Sequence, residues 1–576
     1  MSSREEFSRE ERSPGSVRPP WPGGLTWIAL IIAALGAFLA PAWNQALWST
    51  REGRVASCAQ GMLESGDWLV PRISTRSEPR LHKPPLSYWM AAGCGILIGG
   101  GRVTERAAKL PSALAAVGTV LLIFALGTRA FRSRQAGMFA ALALISTALF
   151  WDESSAAAAD MPMVFFMVLA VFGFWRVIEE GRRSPLDRML PWLSLGLGFL
   201  TKGPVALTVP LVAVLGYLIL DGRLRALREV IPTPLGVAAF VLVALPWYLL
   251  VLQRHPEVLG TWLGESLGRF DDEWTAHQEP FHYYLRRTFC AALLPWVLLL
   301  PAMIAHAASA TARKSLPAGL KLATAWVVLG LVLFSCSSSK RQYYLLPLTP
   351  GFALAVGWIL AASASARLGR LGELLVRVPL LLVALAWLAS PVVGLMLPGI
   401  LAKHAPDGGP AGVEFGLAEL LGAAIVGVAL TTLALLPAAR RVPVCASVLV
   451  ACVAALVWGG RVVIPALNAG QSAAAFCTRV LAALPQGETV STLESSDFPV
   501  LAYYLGRDRV IDLDRSQLAA RLRREAQGYG VAERHELLRW TEGGAVCTRI
   551  VLEGSGPARS RLVLFRWHST PASDHE

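Results

Sequence analysis

Long apolar runs alternate with short polar segments along this chain, and this alternation is its dominant pattern. Most of the runs approach the length of about 20 residues that an α-helix needs to cross a bilayer. They lie near residues 25–45, 84–101, 107–128, 135–151, 161–178, 189–201, 203–220, 232–252, 288–309, 318–337, 343–364, 376–400, 415–437 and 443–467. The pattern predicts an all-α polytopic membrane protein.

Basic clusters between the runs test how many of the runs cross, because Lys and Arg accumulate on the cytoplasmic side of a membrane. The clusters occupy residues 128–134, 176–188, 221–229, 311–315 and 438–441. If the N-terminus is cytoplasmic and every run crosses, all of these clusters lie outside. If the run at 84–101 is interfacial or re-entrant, all of them lie inside. We therefore expect about 13 spans, with the C-terminal end of the chain outside.

Three regions follow from this topology. Residues 1–24 are charged and rich in Pro and Gly, which predicts a disordered cytoplasmic tail. Residues 25–467 are expected to form the membrane domain, with a first external loop at about 46–106 that contains interfacial helices. Residues 468–576 have the composition of a soluble domain, which predicts a small extracytoplasmic α/β domain.

Short apolar and amphipathic runs in residues 468–576 predict its secondary structure. Strands are predicted near 490–495, 500–505, 509–514, 548–554 and 561–567, and helices near 516–530 and 533–540. If this domain is extracytoplasmic, Cys477 and Cys547 either form a disulfide or remain two buried thiols.

Composition supports a membrane protein and argues against nucleic acid as a partner. Hydrophobic residues make up 54% of the chain and charged residues 16%, with a mean hydropathy of +0.50. The formal net charge of +13 is spread over short clusters between apolar runs rather than over one soluble face. Eight cysteines without CxxC or CxxH spacing give no metal-binding signature.

Lys202 is the first candidate for chemistry, in the segment GFLTKGPVAL between two apolar runs. A charged residue at such a place is either functional or reaches the headgroups with its long side chain. The adjacent Gly203-Pro204 favours the functional interpretation, because it allows a helix break and close backbone approach to a ligand.

Further polar residues lie at the ends of other apolar runs. Lys340 and Tyr344 suit an anionic headgroup or an aromatic belt at the interface. Glu265 and Arg269 are spaced i, i+4, so they are either functional or a simple helix-face pair. Asp160 is either a helix N-cap or a carboxylate that works with Glu52.

The stretch 48–89 combines several such residues, since Glu52, Arg54 and Lys83 are interleaved with aromatic side chains. Its runs EGRVASCAQGMLESGDWLVPR and RLHKPPLSYW resemble the first external loop of lipid-linked-sugar glycosyltransferases of the aminoarabinose transferase type, relatives of the protein O-mannosyltransferases. Later matches to the same family are GFLTKG, LPWY, RF and FSCSSSKRQYYLLP, in that order. The resemblance covers residues 25–360 approximately.

The resemblance implies the GT-C glycosyltransferase architecture and an inverting transfer of a sugar from a polyprenyl phosphate to an acceptor outside the inner membrane of a bacterium. The acceptor is a lipid, a glycan or a protein. Matching by position implies that the donor phosphate is held by Arg54, Lys83, Lys202, Arg269, Lys340 and Tyr344. Asp160 matches an acidic position of the family. No cofactor is implied with certainty, since some relatives use a divalent cation and others do not.

One departure from the family concerns the expected catalytic acid. Relatives have an Asp-Glu pair where this chain reads Arg51-Glu52, and His82 replaces a Glu before KPPL. Either Glu52 or Asp160 then acts as the general base, or the acceptor chemistry differs. The alternative is a catalytically silent member that binds lipid-linked sugars.

Overall fold

The structure is a computed structural model. It describes residues 23–267, 278–308, 316–365, 367–404, 417–435, 441–537, 540, 545–556 and 560–569. Arg269 and nearly all of the predicted tail at 1–24 lie outside the described residues.

Helices account for most of the described chain. In chain order they are α1 Gly23–Asn44, α2 Thr50–Ser65, α3 Leu86–Ile98, α4 Glu105–Ala130, α5 Arg134–Ile145, α6 Ala148–Ser154, α7 Asp160–Ile178, α8 Pro185–Lys202, α9 Val205–Leu220, α10 Leu227–Val230, α11 Pro234–Arg254, α12 Val258–Leu267, α13 Phe289–Ala292, α14 Leu300–Ala308, α15 Ala318–Cys336, α16 Thr349–Ala364, α17 Arg370–His404, α18 Leu417–Leu435, α19 Arg441–Gln471, α20 Ala474–Ala483, α21 Phe498–Leu505 and α22 Arg515–Arg524. Short 3₁₀ or π segments are Leu224–Ala226, Tyr284–Thr288, Trp296–Leu299, Gln342–Leu348 and Arg534–Glu536.

The predicted polytopic architecture is confirmed. The predicted number of 13 spans is neither confirmed nor contradicted. Among the described residues, eight helices are long and apolar enough to cross a membrane, namely α1, α4, α7, α11, α15, α16 with the turn before it, α17 and α19. Two bent pairs, α5 with α6 and Tyr284–Ala292 with Trp296–Ala308, raise the count to as many as 10 if each pair is one span. The count of about 13 stays a prediction, and it requires α8, α9 and α18 to cross as well.

Hydroxyl side chains set the starts of several membrane helices. Thr104, Ser133, Ser184 and Thr233 each precede a helix, and each accepts a hydrogen bond from the backbone N–H three residues later. These bonds satisfy amides that have no partner inside the helix. The helices then pack through apolar faces into one large core that includes α1, α4, α5, α7, α9 and α16.

The loop between α1 and α4 is folded over its full length. Its first helix, α2, starts with a reciprocal capping box between Ser49 and Glu52, and it ends at Gly66, whose φ of 71° suits glycine. Its second helix, α3, has 13 residues. At 1.5 Å per residue α3 is about 20 Å long, shorter than the hydrocarbon core. This length fits the predicted interfacial or re-entrant segment.

Three tryptophan side chains attach the rest of this loop to its surroundings. The indole N–H of Trp89 donates to the carbonyl of Trp68 at 2.8 Å. From α11, Trp247 donates to Leu69 at 2.9 Å, and from α12, Trp262 donates to Leu81 at 2.8 Å. Each bond satisfies a loop carbonyl with a rigid, largely apolar side chain, so the loop is fixed where it crosses the membrane helices.

The C-terminal region contains the predicted small α/β fold. Five strands, β1 Val490–Leu493, β2 Val510–Leu513, β3 Gln527–Glu533, β4 Ala545–Ser555 and β5 Arg561–Ser569, form one sheet in the order β2-β1-β3-β5-β4. The strand β1 pairs parallel with β2 and β3, while β5 pairs antiparallel with β3 and β4.

Two secondary-structure predictions in this region are wrong. Residues 500–505 lie in helix α21, which begins at Phe498 with Pro499 in its first turn, rather than in a strand. Their continuous apolar run is compatible with either structure. The end of the predicted helix at 516–530 is strand β3. Its Gly528 and Gly530 leave room for the rings of Trp567 and Phe565 on β5, where a Cβ would come within 2.5 Å and 2.4 Å.

The C-terminal domain packs against the loop that contains α2. A shared apolar cluster includes Val55 and Cys58 of α2 with Val500 and Leu501 of α21. Cys477 is a buried free thiol in the same cluster, which is the second of the two alternatives predicted for it.

Candidate active site

Asp160 and Lys202 meet at one end of the membrane helices. Asp160 is the first residue of α7, and Lys202 is the last residue of α8. Their side chains form an ion pair through Lys202 Nζ and Asp160 Oδ1. The N-cap position of α7 is Ala159, so Asp160 is not the N-cap that was one of its two interpretations. Gly203, with φ at 81°, then turns the chain from α8 toward α9.

Arg51 enters the same cluster from α2. Its Nη2 donates to the two carboxylate oxygens of Glu153 at 2.9 Å and 2.8 Å, and its Nη1 donates to Asp160 Oδ2 at 3.3 Å. The guanidinium also lies 4.4 Å from the ring centroid of Tyr343. Burial alone would lower the pKa of Arg51, but Glu153 and Asp160 raise it above its ordinary value. Arg51 is therefore a permanent cation between two acids.

Glu52, although adjacent in sequence, points into a different and closed environment. Its carboxylate accepts from Lys109 Nζ at 2.5 Å and from the amides of Trp48 at 2.8 Å and Ala157 at 3.2 Å. Burial alone would raise the pKa of Glu52, but Lys109 and these amides hold it below its ordinary value. The structure therefore does not bring Glu52 together with Asp160 as a catalytic pair.

The remaining predicted cations surround the cluster at different distances. Lys83 lies within electrostatic range of Asp160. Arg54 is half-buried, and its Nε has no hydrogen-bond acceptor among the described residues. Next to Lys83, burial and the charge of Arg80 lower the pKa of His82 to about 3, so its ring is neutral at physiological pH.

Tyr344 and Lys340 occupy different surroundings. The Tyr344 ring lies 5.6 Å from Lys202 Nζ and packs edge-on against Tyr343. Lys340 is buried, and its Nζ donates to the carbonyl of Glu279 at 2.6 Å. It lines a cavity of about 410 Å³ together with residues 278–281 and 335–338. Arg269 lies outside the described residues.

Three residues of this region were missed by sequence reasoning. Glu153 and Tyr343 contact Arg51, and Lys109 contacts Glu52. Lys109 could have been found, because it stands in the run ERAAKLPSAL at the start of a predicted span, where a charge needs a partner. Glu153 and Tyr343 gave no such signal, since both stand among other polar or aromatic residues.

Within the ranges given above, no group of three or more His, Cys, Asp or Glu side chains is placed to hold a metal ion.

Sequence comparisons match this chain to known membrane transferases. The family model described as dolichyl-phosphate-mannose-protein mannosyltransferase matches residues 82–248. The undecaprenyl phosphate-alpha-4-amino-4-deoxy-L-arabinose arabinosyl transferase of Pseudomonas aeruginosa (strain UCBPP-PA14) is 33% identical over 373 residues, which are 63% of this chain and 65% of the relative. The transferase of that name from Edwardsiella ictaluri (strain 93-146) is 30% identical over 338 residues, covering 58% of this chain and 59% of the relative. The match thus spans less than two thirds of these relatives' own length.

Solved structures match over nearly the whole chain. ArnT from Cupriavidus metallidurans bound to undecaprenyl phosphate superposes with a TM-score of 0.70 at 20% identity, covering 93% of this chain and 98% of that one. The arabinofuranosyltransferase AftD from Mycobacteria gives a TM-score of 0.50 at 15% identity, covering 96% of this chain and 40% of that one. The predicted resemblance and the GT-C architecture are confirmed: the chain is similar in sequence to aminoarabinose transferases and in fold to ArnT.

Proposed function

We propose that this protein is an inverting glycosyltransferase that moves a sugar from a polyprenyl-phosphate donor to an acceptor at the outer face of the bacterial inner membrane. The acceptor group is a hydroxyl or phosphate of a lipid or another cell-envelope molecule. Two similarities support the donor class. The relatives are named for undecaprenyl-phosphate-linked aminoarabinose, and the ArnT structure holds undecaprenyl phosphate.

The cluster of Asp160, Lys202 and Arg51 is the observation that carries this proposal. It places two cations and a carboxylate at the ends of membrane helices, with the Tyr343 and Tyr344 rings beside them. Departure of a polyprenyl phosphate needs positive charge where the leaving oxygen becomes anionic. Lys202 is 17% exposed and Arg51 is 29% exposed, so both can meet a ligand.

Asp160 is the better placed of the two predicted general bases. A base must reach the acceptor proton directly or through one water. Glu52 cannot do so while its carboxylate is enclosed by Lys109 and backbone amides. Asp160 shares its site with the cations that would hold the donor, so an acceptor hydroxyl bound there lies near both groups.

Arg54, Lys83, Lys202, Arg269 and Tyr344 are proposed to bind the donor phosphate. The Nε of Arg54 supports its part, because a buried donor without an acceptor among the described residues is satisfied by an anionic ligand. Lys340 is proposed to bind the same ligand. It begins the short segment that contains Tyr344, and its bond to the Glu279 carbonyl anchors that segment.

Transfer by the purified protein tests this proposal. We expect release of polyprenyl phosphate and formation of a glycosylated acceptor when the protein in detergent is given a panel of polyprenyl-phosphate sugars and envelope lipids. Lys202→Ala and Asp160→Asn should each lower kcat at least about 100-fold, as expected for loss of charge stabilisation or of a base.

The matched control is the ion pair at the other end of the helices. Lys321 on α15 pairs with Asp221 at 2.7 Å, and Lys321→Met should keep full transfer. Full activity in both Lys202→Ala and Asp160→Asn would contradict the proposed site.

Arg51 favours a second candidate, a catalytically silent protein that binds lipid-linked sugars. A cation stands where the family usually has an acid, and it pairs with both nearby carboxylates. Saturable donor binding with no release of polyprenyl phosphate, measured on the same panel, would support this candidate over the enzyme.

A further inference from the structure

Arg51 lies between two buried carboxylates and contacts them at different distances. Its contacts with the Glu153 oxygens are 2.8 Å and 2.9 Å, the usual length for a hydrogen bond between charged groups. Its contact with Asp160 is longer, at 3.3 Å. Arg51 is therefore bound to Glu153 first and to Asp160 second.

The fold fixes Glu153 in the position that allows its short contact with Arg51. Helices α5 and α6 form a pair that is bent by 63°. The Trp296 indole donates to Ser146 Oγ at 3.0 Å at this bend, and α6 then carries Glu153 toward α2. The Glu153 side chain is only 5% exposed, so its carboxylate cannot swing into solvent and release Arg51.

The other oxygen of Asp160 is already occupied by Lys202. If Arg51 also bound Asp160 at full strength, both Asp160 oxygens would be held by cations, and an acceptor hydroxyl would have to compete with them. With Arg51 paired to Glu153, its contact with Asp160 is 3.3 Å, longer than a full-strength hydrogen bond between charged groups.

We propose that Glu153 is a positioning residue that holds Arg51 back from Asp160 and so keeps Asp160 open to the acceptor. The role in transfer rests on the proposed function, whereas the hold on Arg51 does not. Without the Glu153 charge, Arg51 moves onto Asp160, which is the nearest remaining carboxylate to it.

A stability measurement tests the hold on Arg51 without any need for activity. Thermal unfolding midpoints in detergent are measured for Arg51→Gln, Asp160→Asn and the double variant, first in the native background and then with Glu153→Gln. We expect the Arg51–Asp160 coupling to be at least about twofold larger with Glu153→Gln. Equal or smaller coupling would overturn the proposal.

Two further variants keep this measurement decisive. Asp152→Asn removes the exposed acid next to Glu153. It should leave the Arg51–Asp160 coupling unchanged. A rise in this coupling as large as that caused by Glu153→Gln would contradict a specific role of Glu153. If Glu153→Gln does not fold, Glu153→Asp replaces it. Its shorter side chain should hold Arg51 less well and give an intermediate rise in coupling, and no rise would count against the proposal.

Activity then tests the consequence for Asp160. Glu153→Gln should lower kcat at least about 10-fold with little change in the donor KM. In the Arg51→Gln background, Glu153→Gln should change kcat little, because no guanidinium remains there to cover Asp160. A loss of kcat as large as in the native background would overturn the proposal, since it would make Glu153 itself the proton acceptor. If the native protein transfers no sugar, the proposed function fails, while the stability measurement still decides the hold on Arg51.

Discussion

Glu52 and Lys109 show how a residue that resembles a catalytic one can have a structural role. Both side chains are almost completely shielded, at 4% and 0% exposure. Lys109 also donates to Gln45 Oε1 and to the Ser155 carbonyl, both at 3.1 Å. The pair therefore joins α4 to the start of α2 and to the turn before α7. The pair thereby fixes the orientation of α2 that places Arg51 beside Asp160.

Lys109→Met should lower the stability of the protein strongly. It leaves the Glu52 charge buried without its cation, a change that costs about 3–5 kcal/mol in comparable cases. The thermal unfolding midpoint in detergent should fall clearly. The double variant Lys109→Met/Glu52→Gln should recover most of the loss, because no buried charge is left. A single variant as stable as the native protein would show that Glu52 is not dependent on Lys109.

The pH dependence of this pair has a definite sign. The folded pKa of Glu52 lies below its ordinary value of 4.5, so the pair stabilises the protein at neutral pH. Its contribution is lost as the pH falls below that ordinary value toward the lowered one.

At the scale of elements, the position of α2 depends on helix α21 of the C-terminal domain. Gly53 on α2 faces Val500 so closely that an added Cβ would lie 2.8 Å from the Val500 backbone nitrogen. Ser57 Oγ donates to the Pro499 carbonyl at 2.9 Å one turn further along. The C-terminal domain thus packs on the helix that carries Arg51, and a backbone contact leaves no room for adjustment.

Gly53→Ala should push α2 and α21 apart, lowering both the unfolding midpoint and kcat. Gly93→Ala on α3 is the matched control, because an added Cβ there meets nothing within 4 Å. Alanine is a better helix former than glycine by about 1 kcal/mol, so the control should be neutral or slightly more stable. Equal behaviour of the two variants would mean that the α2–α21 contact is not tight.

At the scale of the whole molecule, the proposed side of the membrane can be measured with single cysteines. In a variant that lacks the eight native cysteines, Gln486→Cys in the C-terminal domain should react with a membrane-impermeant maleimide added to intact cells lacking an outer-membrane barrier. Arg182→Cys, in the loop between α7 and α8, should react only after the membrane is opened. Both positions are exposed. The reverse pattern would place the candidate site in the cytoplasm.

Much of the architecture was predictable from the sequence, because apolar run length and the position of basic residues act locally. A helix in lipid must satisfy its own backbone and bury its own apolar surface, so each run signals its structure without reference to the others. The same two signals predict that the short α3 does not cross. The C-terminal strands were less certain, and residues 500–505 were assigned wrongly, because a short apolar run fits either a buried helix or a strand.

The sequence by itself determined the class of protein, and it pointed to Asp160 and Lys202 through the cost of placing charge beside apolar runs. Only the tertiary structure decided which charges meet. Glu52 and Arg51 are neighbours in sequence, yet successive residues on a helix point in different directions, and one faces Lys109 while the other faces Glu153. Glu153 joins the site because the bent pair of helices α5 and α6 carries it there, 102 residues along the chain from Arg51. Which charged side chains pair in a buried site depends on three-dimensional geometry. That geometry places the unexpected Arg51 at the centre of the cluster.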